Sequence, residues 1–324
     1  MKRILMPLLA SGIALGAGCA GAAAQSSQGG AVQGKKSLAL VTNAAADFWT
    51  IARRGVEKAQ REHPDYRMEV IVTGQATAAE QRRELDDLLA RGIAGVSISA
   101  IDPKNSTEEF NKFAAKAVLF TTDSDAPQSA RVAYIGTDNV AAGRDAGAQI
   151  KKALPNGGKV MMFVGTMDAD NARERVQGIK QALASSKIDI VDIRTDGVDF
   201  AKAKSNVQDA LAKGGLDCLV GLYSYNTPQI YSAVKEAGQA GKVKIVGFDE
   251  DPQTLRGVAD GTVQSTIVQQ PYEFGYQSMV DMIKYTQGDK SFIPANHLII
   301  IPTRVIDKSN VAEFQTSMKQ LLAK

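Results

Sequence analysis

Cysteine and histidine are almost absent from this 324-residue chain: Cys19 and Cys218 are its only cysteines, His63 and His297 its only histidines. That scarcity removes several chemistries at once. Cys218 stands inside the apolar run Leu216–Leu222, and Cys19 lies in an N-terminal leader, so no internal disulfide is expected. Cys218 reads as a small buried hydrophobe rather than a reactive thiol. Two histidines without a cysteine pair are too few for a zinc site and give a Ser-His-Asp triad little support. There is no G-x-x-x-x-G-K-[ST] phosphate loop and no G-x-S-x-G nucleophile elbow. The G-x-G-x-x-G match at Gly16 to Gly21 lies in the leader and follows no strand, which leaves a nicotinamide oxidoreductase unsupported. A surplus of one charge is missing too. The formal net charge is only +3, and Lys2 and Arg3 belong to the leader, so nothing suggests the basic face that nucleic acid requires. No cofactor, metal or nucleic-acid partner is expected, and no enzymatic role.

Long hydrophobic runs are equally scarce. Ile4 to Leu15 is an apolar stretch behind Lys2 and Arg3, followed by the small-residue site Ala22-Ala23-Ala24. This is the pattern of a secretory signal peptide over residues 1–24, too short to anchor stably in a bilayer. Cys19, preceded by Leu15-Gly16-Ala17-Gly18, offers a second reading: acylation to give a lipid anchor. Leu15 sits one place too far upstream for that pattern, so cleavage near Ala24 is favoured. Residues 25–35, rich in Ser, Gln and Gly, read as a flexible tether.

Past Lys36 an extended apolar run is followed by a longer amphipathic segment, repeatedly. The runs are Leu38–Val41, Val70–Val72, Val96–Ile98, Val118–Phe120, Val160–Val164, Ile188–Ile193, Leu219–Leu222, Ile245–Val246 and Ile267–Val268. Between them lie helical patterns, the first over Asp47–Glu62 with Phe48, Ile51, Ala52, Val56 and Ala59 at helical spacing. Thr77-Ala-Ala-Glu80 carries a capping-box pattern at the next helix start. The alternation predicts α/β architecture: doubly wound parallel sheets covered by helices, in two lobes, with several chain segments joining them. Such sheets bind ligands beyond the carboxyl ends of their strands.

The residues just past those strands are suited to a polyhydroxylated ligand. They include Asn43, the aromatic pair Phe48-Trp49, Ser99, Asp123, Ser124, Arg175, Asn226, Phe248, Asp249 and Gln269. A hydroxyl both donates and accepts. Carboxylates accept, guanidinium donates from a rigid fork, and amides do both. Aromatic faces pack against the C–H face of a sugar ring. Arg173 and Arg175 point differently on one helix, so at most one of them should face a cleft, the other pairing with a carboxylate. Asp102 and Asp251, each followed by proline, suit turns or helix caps better.

The order of these segments resembles the periplasmic sugar-binding proteins of the ribose-binding type, the substrate-capturing subunits of ABC importers. Its marks run from Ala46-Asp-Phe-Trp49 through Gly95 to Pro103, Thr122 to Pro127 and Tyr134 to Asn139. They continue at Ala172-Arg-Glu-Arg175, Tyr223 to Asn226, Val246 to Asp249 and Ser265 to Pro271. The resemblance covers roughly Lys36 to Pro302. It implies two lobes joined by a three-segment hinge, one of residues 36–137 plus 270–299, the other of 138–269 plus 300–324. It implies a ligand between them, held by Phe48, Trp49, Asp123, Arg175, Asn226, Asp249 and Gln269, with Phe200 stacking opposite. It further implies a monomer in the periplasm that passes a monosaccharide or polyol to ABC permease subunits. A sensor that presents the ligand to a chemoreceptor or histidine kinase is the alternative. A repressor of the LacI type shares the fold but would need an N-terminal helix-turn-helix where this chain has its leader. Three positions depart from the ribose binders: Ala46 replaces an Asn that Asn43 could stand in for, Ser99 replaces another Asn, and Ser124 replaces an Arg. These leave the ligand's identity open.

Overall fold

The computed structural model describes residues 34–323; the predicted leader, Cys19 and most of the tether lie outside them. In chain order the first half runs β1 (Lys36–Val41), α1 (Asp47–Glu62), β2 (Tyr66–Ile71), α2 (Ala78–Ala90), β3 (Gly95–Ile98), α3 (Thr107–Ala114), β4 (Val118–Thr122) and β5 (Tyr134–Gly136). Then come α4 (Asn139–Ala153), β6 (Gly158–Val164), α5 (Asp170–Leu183), β7 (Ile188–Thr195), α6 (Phe200–Lys213), β8 (Cys218–Gly221), α7 (Asn226–Glu236) and β9 (Lys244–Phe248). The chain ends with α8 (Pro252–Asp260), β10 (Ser265–Val268), α9 (Pro271–Thr286), β11 (Leu298–Ile300), β12 (Arg304–Asp307) and α10 (Val311–Leu322).

Two six-stranded sheets result, ordered β11-β5-β4-β3-β1-β2 and β12-β10-β9-β8-β6-β7. Each carries apolar cores on both faces, as parallel sheets covered by helices must. The chain passes between the sheets three times: from Gly136 to Asn139, from Val268 to Pro271, and from Ile300 to Arg304. β12 pairs antiparallel with β10, a departure from the all-parallel expectation. It arrives straight from β11, which runs toward the crossing, so its continuation must run away from it. An antiparallel edge strand on a parallel sheet is a common outcome.

The helices follow their sequence signals. α1 buries Phe48, Trp49, Ala52, Val56 and Ala59 along one face and stops before Pro64. Thr77 caps α2 by accepting from the Glu80 amide at 3.2 Å. The Glu80 carboxylate instead accepts from the Gly74 and Gln75 amides, each at 2.8 Å, tying down the preceding loop. Asp251 caps α8, its Oδ1 2.7 Å from the Gln253 amide, with Pro252 at the first helical position.

Two helix pairs are brought together by glycine. A Cβ on Gly178 of α5 would lie 2.1 Å from the Val140 carbonyl oxygen, and one on Gly143 of α4 would lie 2.3 Å from that of Arg175. The other pair repeats the device: a Cβ on Gly55 of α1 would meet the Tyr272 oxygen, and one on Gly275 of α9 the Ala52 oxygen, both at 2.0 Å. α4 and α9 each begin directly after a crossing, so these contacts lock the crossings to the helices that carry Arg175 and Trp49.

Candidate functional site

Two carboxylates stand at matching strand ends. Asp123 follows β4 and Asp249 follows β9; both are buried and both have left-handed backbone, with φ of 60° and 67°. Aspartate tolerates that region better than most side chains, and such strained positions concentrate at functional sites. Asp123 Oδ2 accepts from Ser99 Oγ at 2.7 Å, Asn43 Nδ2 at 3.1 Å and Asn171 Nδ2 at 3.3 Å. Asp249 Oδ1 accepts from Gln269 Nε2 at 2.9 Å, and Gln269 Oε1 accepts from Thr137 Oγ1 at 2.9 Å. Burial raises the pKa of both carboxyls, and the Arg175 guanidinium opposes that shift at each.

Arg175 is the largest fully buried side chain among the described residues. Its Nε donates to Asn139 Oδ1 at 2.9 Å and its Nη1 to the Leu222 carbonyl at 2.6 Å, while the guanidinium lies 4.5 Å over the Phe248 ring. Nη2 meets no hydrogen-bond partner among the described residues, although Arg175 lines the cavity together with Asp123 and Asp249. A buried donor left unmatched costs about 1–3 kcal/mol, more when charged. Arg173, two residues earlier, turns outward and pairs with Asp170, the division expected of the two arginines.

The aromatic wall is built from one helix start. Phe48 and Trp49 meet edge to face with centroids 5.0 Å apart, and Phe48 rests on Phe274. Trp49 Nε1 donates to Asn43 Oδ1 at 3.0 Å, so the Asn43 amide links the indole to the Asp123 carboxylate. Opposite stand Tyr223 and Tyr225. Tyr223 Oη donates to Asn171 Oδ1 at 3.2 Å, and Tyr225 Oη to Asp196 Oδ1 at 2.5 Å.

These walls line one cavity, about 540 Å³ when the open solvent at its mouth is counted in. Of the side chains singled out in the sequence, Asn43, Phe48, Trp49, Asp123, Arg175, Asp249 and Gln269 line it. Ser99 and Phe248 stand behind, bracing Asp123 and Arg175. Asn226 is spent on Asp196 Oδ2 at 2.9 Å and on the Tyr223 amide at 3.0 Å. Ser124 is buried, its Oγ without a partner among the described residues. Phe200 stays outside, stacked on Tyr225 at 4.6 Å with rings 18° from parallel, and half-exposed.

Sequence reasoning passed over Asp196, Asn139 and Tyr134. Asp196 follows β7 and precedes Gly197, a strand-end carboxylate like those it did find. Asn139 orients Arg175, and Tyr134 Oη donates to the Asp123 carbonyl at 3.0 Å, but neither carries a spacing signal. Tyr134, Asn139 and Tyr223 lie inside stretches that carry the resemblance, and Asn171 one residue before another, without being singled out.

The family model of the periplasmic binding protein domain matches residues 38–290. The ribose import binding protein RbsB of Salmonella typhimurium is 29% identical over 263 residues, covering 79% of this chain and 86% of that protein. Among solved structures, an ABC transporter solute binding protein from Burkholderia graminis in complex with D-arabinose is similar at a TM-score of 0.80. It is 28% identical, with 85% of this chain and 96% of that one covered. A chain of the XylFII–LytSN complex is 26% identical at a TM-score of 0.79, covering 85% and 98% of the two chains.

Proposed function

This chain belongs to the periplasmic binding protein family, with the ribose-type sugar binders, and we propose that it captures a monosaccharide or related polyol between its two lobes and delivers it to an ABC permease. The observation that carries the sugar reading is Arg175. Its unmatched Nη2 shares a cavity wall with two buried carboxylates, beside an aromatic pair. Ring hydroxyls supply what each polar group lacks: an acceptor for Nη2, and donors for Asp123 and Asp249. Trp49 and Phe48 take the apolar ring face. Asn43 and Gln269 complete the ring of contacts, while Ser99, Asn226 and Phe248 hold the contacting groups in place. A small uncharged hydroxyl ligand fits better than an anionic one, because two buried carboxylates already face the one guanidinium.

The Asn171–Asp123 bond joins α5 on one side of the cleft to the end of β4 on the other. Closure around ligand then rests on side chains of both lobes, residues 36–137 plus 270–299 against 138–269 plus 300–324, and binding shifts the population toward the closed form. The closed form docks on the permease. In this reading the mature protein is a periplasmic monomer released by cleavage near Ala24, with acylation at Cys19 as the other fate of the leader. No helix among the described residues is long and apolar enough to cross a membrane.

Sensing is the second reading, favoured by one observation: the similar XylFII is found in complex with LytSN. The identity of the ligand turns on Ala46, Ser99 and Ser124. A thermal-shift screen of the purified protein against pentoses, hexoses and their alcohols tests the proposal, since a ligand that binds only the folded state raises Tm. A rise with at least one of them is expected. No rise with any would overturn the sugar assignment.

A further inference from the structure

The cavity has two ends of unlike chemistry. In the two sheets β4 and β9 lie toward the crossings, while β2 and β7 form the far edges. Asp123 and Asp249 follow β4 and β9, Gln269 follows β10, and Arg175 lays its guanidinium over Phe248; all four are buried. Ala76 follows β2 and Val198 follows β7, and both line the same cavity from its other end, half-buried. Unused hydrogen-bonding capacity sits at the first end. Nη2 of Arg175 is unmatched, and Asp123 takes its three side-chain bonds on Oδ2, which leaves Oδ1 for a ligand. Toward the far edges the lining hydroxyls are committed: Thr166 Oγ1 to Asp168 Oδ2 at 3.1 Å, Tyr223 to Asn171 and Tyr225 to Asp196. Ser224, whose hydroxyl is uncommitted, follows β8, next to β9 on the charged side.

The backbone marks the apolar end as built. Among the described residues five other than glycine have left-handed backbone, and four of these line the cavity: Asp123, Asp249, Ala76 and Val198. Ala76 has φ of 51° and Val198 of 64°. Glycine or asparagine would take such conformations with little strain, whereas valine, branched at Cβ, is an outlier there. A carboxylate holds each turn. Glu80 accepts from the Gly74 and Gln75 amides just before Ala76, and buried Asp196 accepts from the Val198 amide at 2.8 Å. Strain kept in place by its surroundings concentrates where side chains are used. Here it presents a methyl group from one lobe and an isopropyl group from the other.

We infer that Ala76 and Val198 are specificity determinants that receive a C6 methyl group, so that the preferred monosaccharide is a 6-deoxyhexose. The inference rests on the sugar reading of this cavity and names its ligand class. The ring hydroxyls face Asp123, Arg175 and Asp249. The methyl group, across the ring from the 2- and 3-hydroxyls, points to Ala76 and Val198. A hexose would bring a hydroxyl to this end, among groups that are apolar or already bonded. A pentose would leave the two apolar side chains without a partner.

Calorimetric titration of the purified protein tests this with sets of sugars that share one ring stereochemistry and differ only at the sixth carbon. The sets are L-fucose, L-galactose and D-arabinose; L-rhamnose, L-mannose and L-lyxose; D-fucose, D-galactose and L-arabinose; 6-deoxy-D-glucose, D-glucose and D-xylose; and 6-deoxy-D-allose, D-allose and D-ribose. In at least one set the 6-deoxyhexose should bind about tenfold more tightly than its hexose, the cost of a hydroxyl left unmatched. It should bind about threefold more tightly than its pentose, the worth of a buried methyl group. Val198→Asn keeps a residue that accepts left-handed backbone and puts a donor and an acceptor where the methyl would lie. Its Tm without ligand should hold or rise, and the preference over the hexose should shrink to about twofold or less. Ala76→Asn applies the same change from the other lobe. A hexose or pentose that binds as tightly as its 6-deoxyhexose in every set would overturn the inference and leave the sugar reading standing. A 6-deoxy preference unchanged in both variants would place the methyl elsewhere and overturn it as well. Binding of none of these sugars overturns both readings.

Discussion

Asp123 and Asp249 are counterparts across the two sheets. Each follows the fourth strand of its sheet in chain order, and each has left-handed backbone. Each donates its amide to the next strand: Asp123 to the Ile135 carbonyl at 3.3 Å, Asp249 to that of Ile267 at 2.9 Å. The same local twist thus aims a carboxylate into the cleft from either side, and one guanidinium, Arg175, answers both. The glycine-locked pairs α1–α9 and α4–α5 repeat the relationship behind the site. The cleft is therefore close to two-fold in its scaffold but not in its chemistry, because only one lobe supplies the arginine and only the other the tryptophan.

Arg175→Ala should remove ligand binding and also loosen the protein. The variant leaves Asp123 and Asp249 buried without the cation that opposes their desolvation. Breaking such a buried arrangement costs about 3–5 kcal/mol. Urea unfolding of the ligand-free protein should show most of this. Arg175→Lys should recover part of the stability but little affinity, since an ammonium cannot serve Asn139, Leu222 and a ligand from one rigid fork. Unchanged unfolding midpoints would show that the three charges do not depend on one another.

Asp249→Asn separates binding from folding. Asparagine accepts left-handed backbone and can keep the Gln269 contact, so Tm without ligand should hold or rise. Affinity should fall by about 1 kcal/mol, the difference a charged acceptor makes to a hydroxyl donor. Asp249→Ala should lose affinity and also stability, because alanine carries the strain without the compensating bond. Equal affinity in wild type and Asp249→Asn, measured by titration, would remove Asp249 from the ligand's contacts.

How far the sequence could be read follows from the kind of signal each part leaves. Longer strands such as β6 and the amphipathic helix α1 show in apolar pattern alone. β5, β11 and β12 span only three or four residues each, too short for any period, and they are strands because a neighbouring strand pairs with each. The site was legible wherever a charged or aromatic residue follows a strand, as at Asp123, Asp249 and Trp49. It was not legible where a residue acts through another. Asn226 looks like a ligand contact by type and position, yet its amide is committed to Asp196 and the Tyr223 backbone. The side on which Phe200 falls depends on where α6 begins, and no periodicity within α6 fixes that.

Gly178→Ala tests whether α5 must sit against α4. The new methyl would press on the Val140 carbonyl, and overpacking of this kind costs about 1–3 kcal/mol. α5 also carries Arg175 and Asn171, so affinity should fall together with stability. Gly238→Ala is a contrast without crowding: its φ is +65°, so it carries backbone strain, but nothing lies within 4 Å of the added Cβ. It should destabilise modestly and leave affinity unchanged. Loss of affinity in both variants, measured by titration at a temperature where each is folded, would detach the effect from helix spacing.

Glu174 makes the ligand-free protein's stability depend on pH in a direction opposite to the usual carboxylate. Burial, reinforced by Asp170, Asp125 and Asp138, raises its pKa from 4.5 to about 7, against a lowering hydrogen bond from Asn139. A carboxyl that holds its proton more tightly folded than unfolded favours the folded state below its ordinary pKa. That contribution is lost as pH rises from about 4.5 through about 7. Asp123 and Asp249 are shifted the same way, so the wild type should lose Tm over this interval. Glu174→Gln cannot ionise. Its melting curve should be flatter across that window, and its gain over wild type should be largest above pH 7, where wild-type Glu174 carries its charge. A parallel displacement of the two Tm profiles, with the same slope, would mean that Glu174 is already ionised throughout and that the nearby acids do not hold its proton.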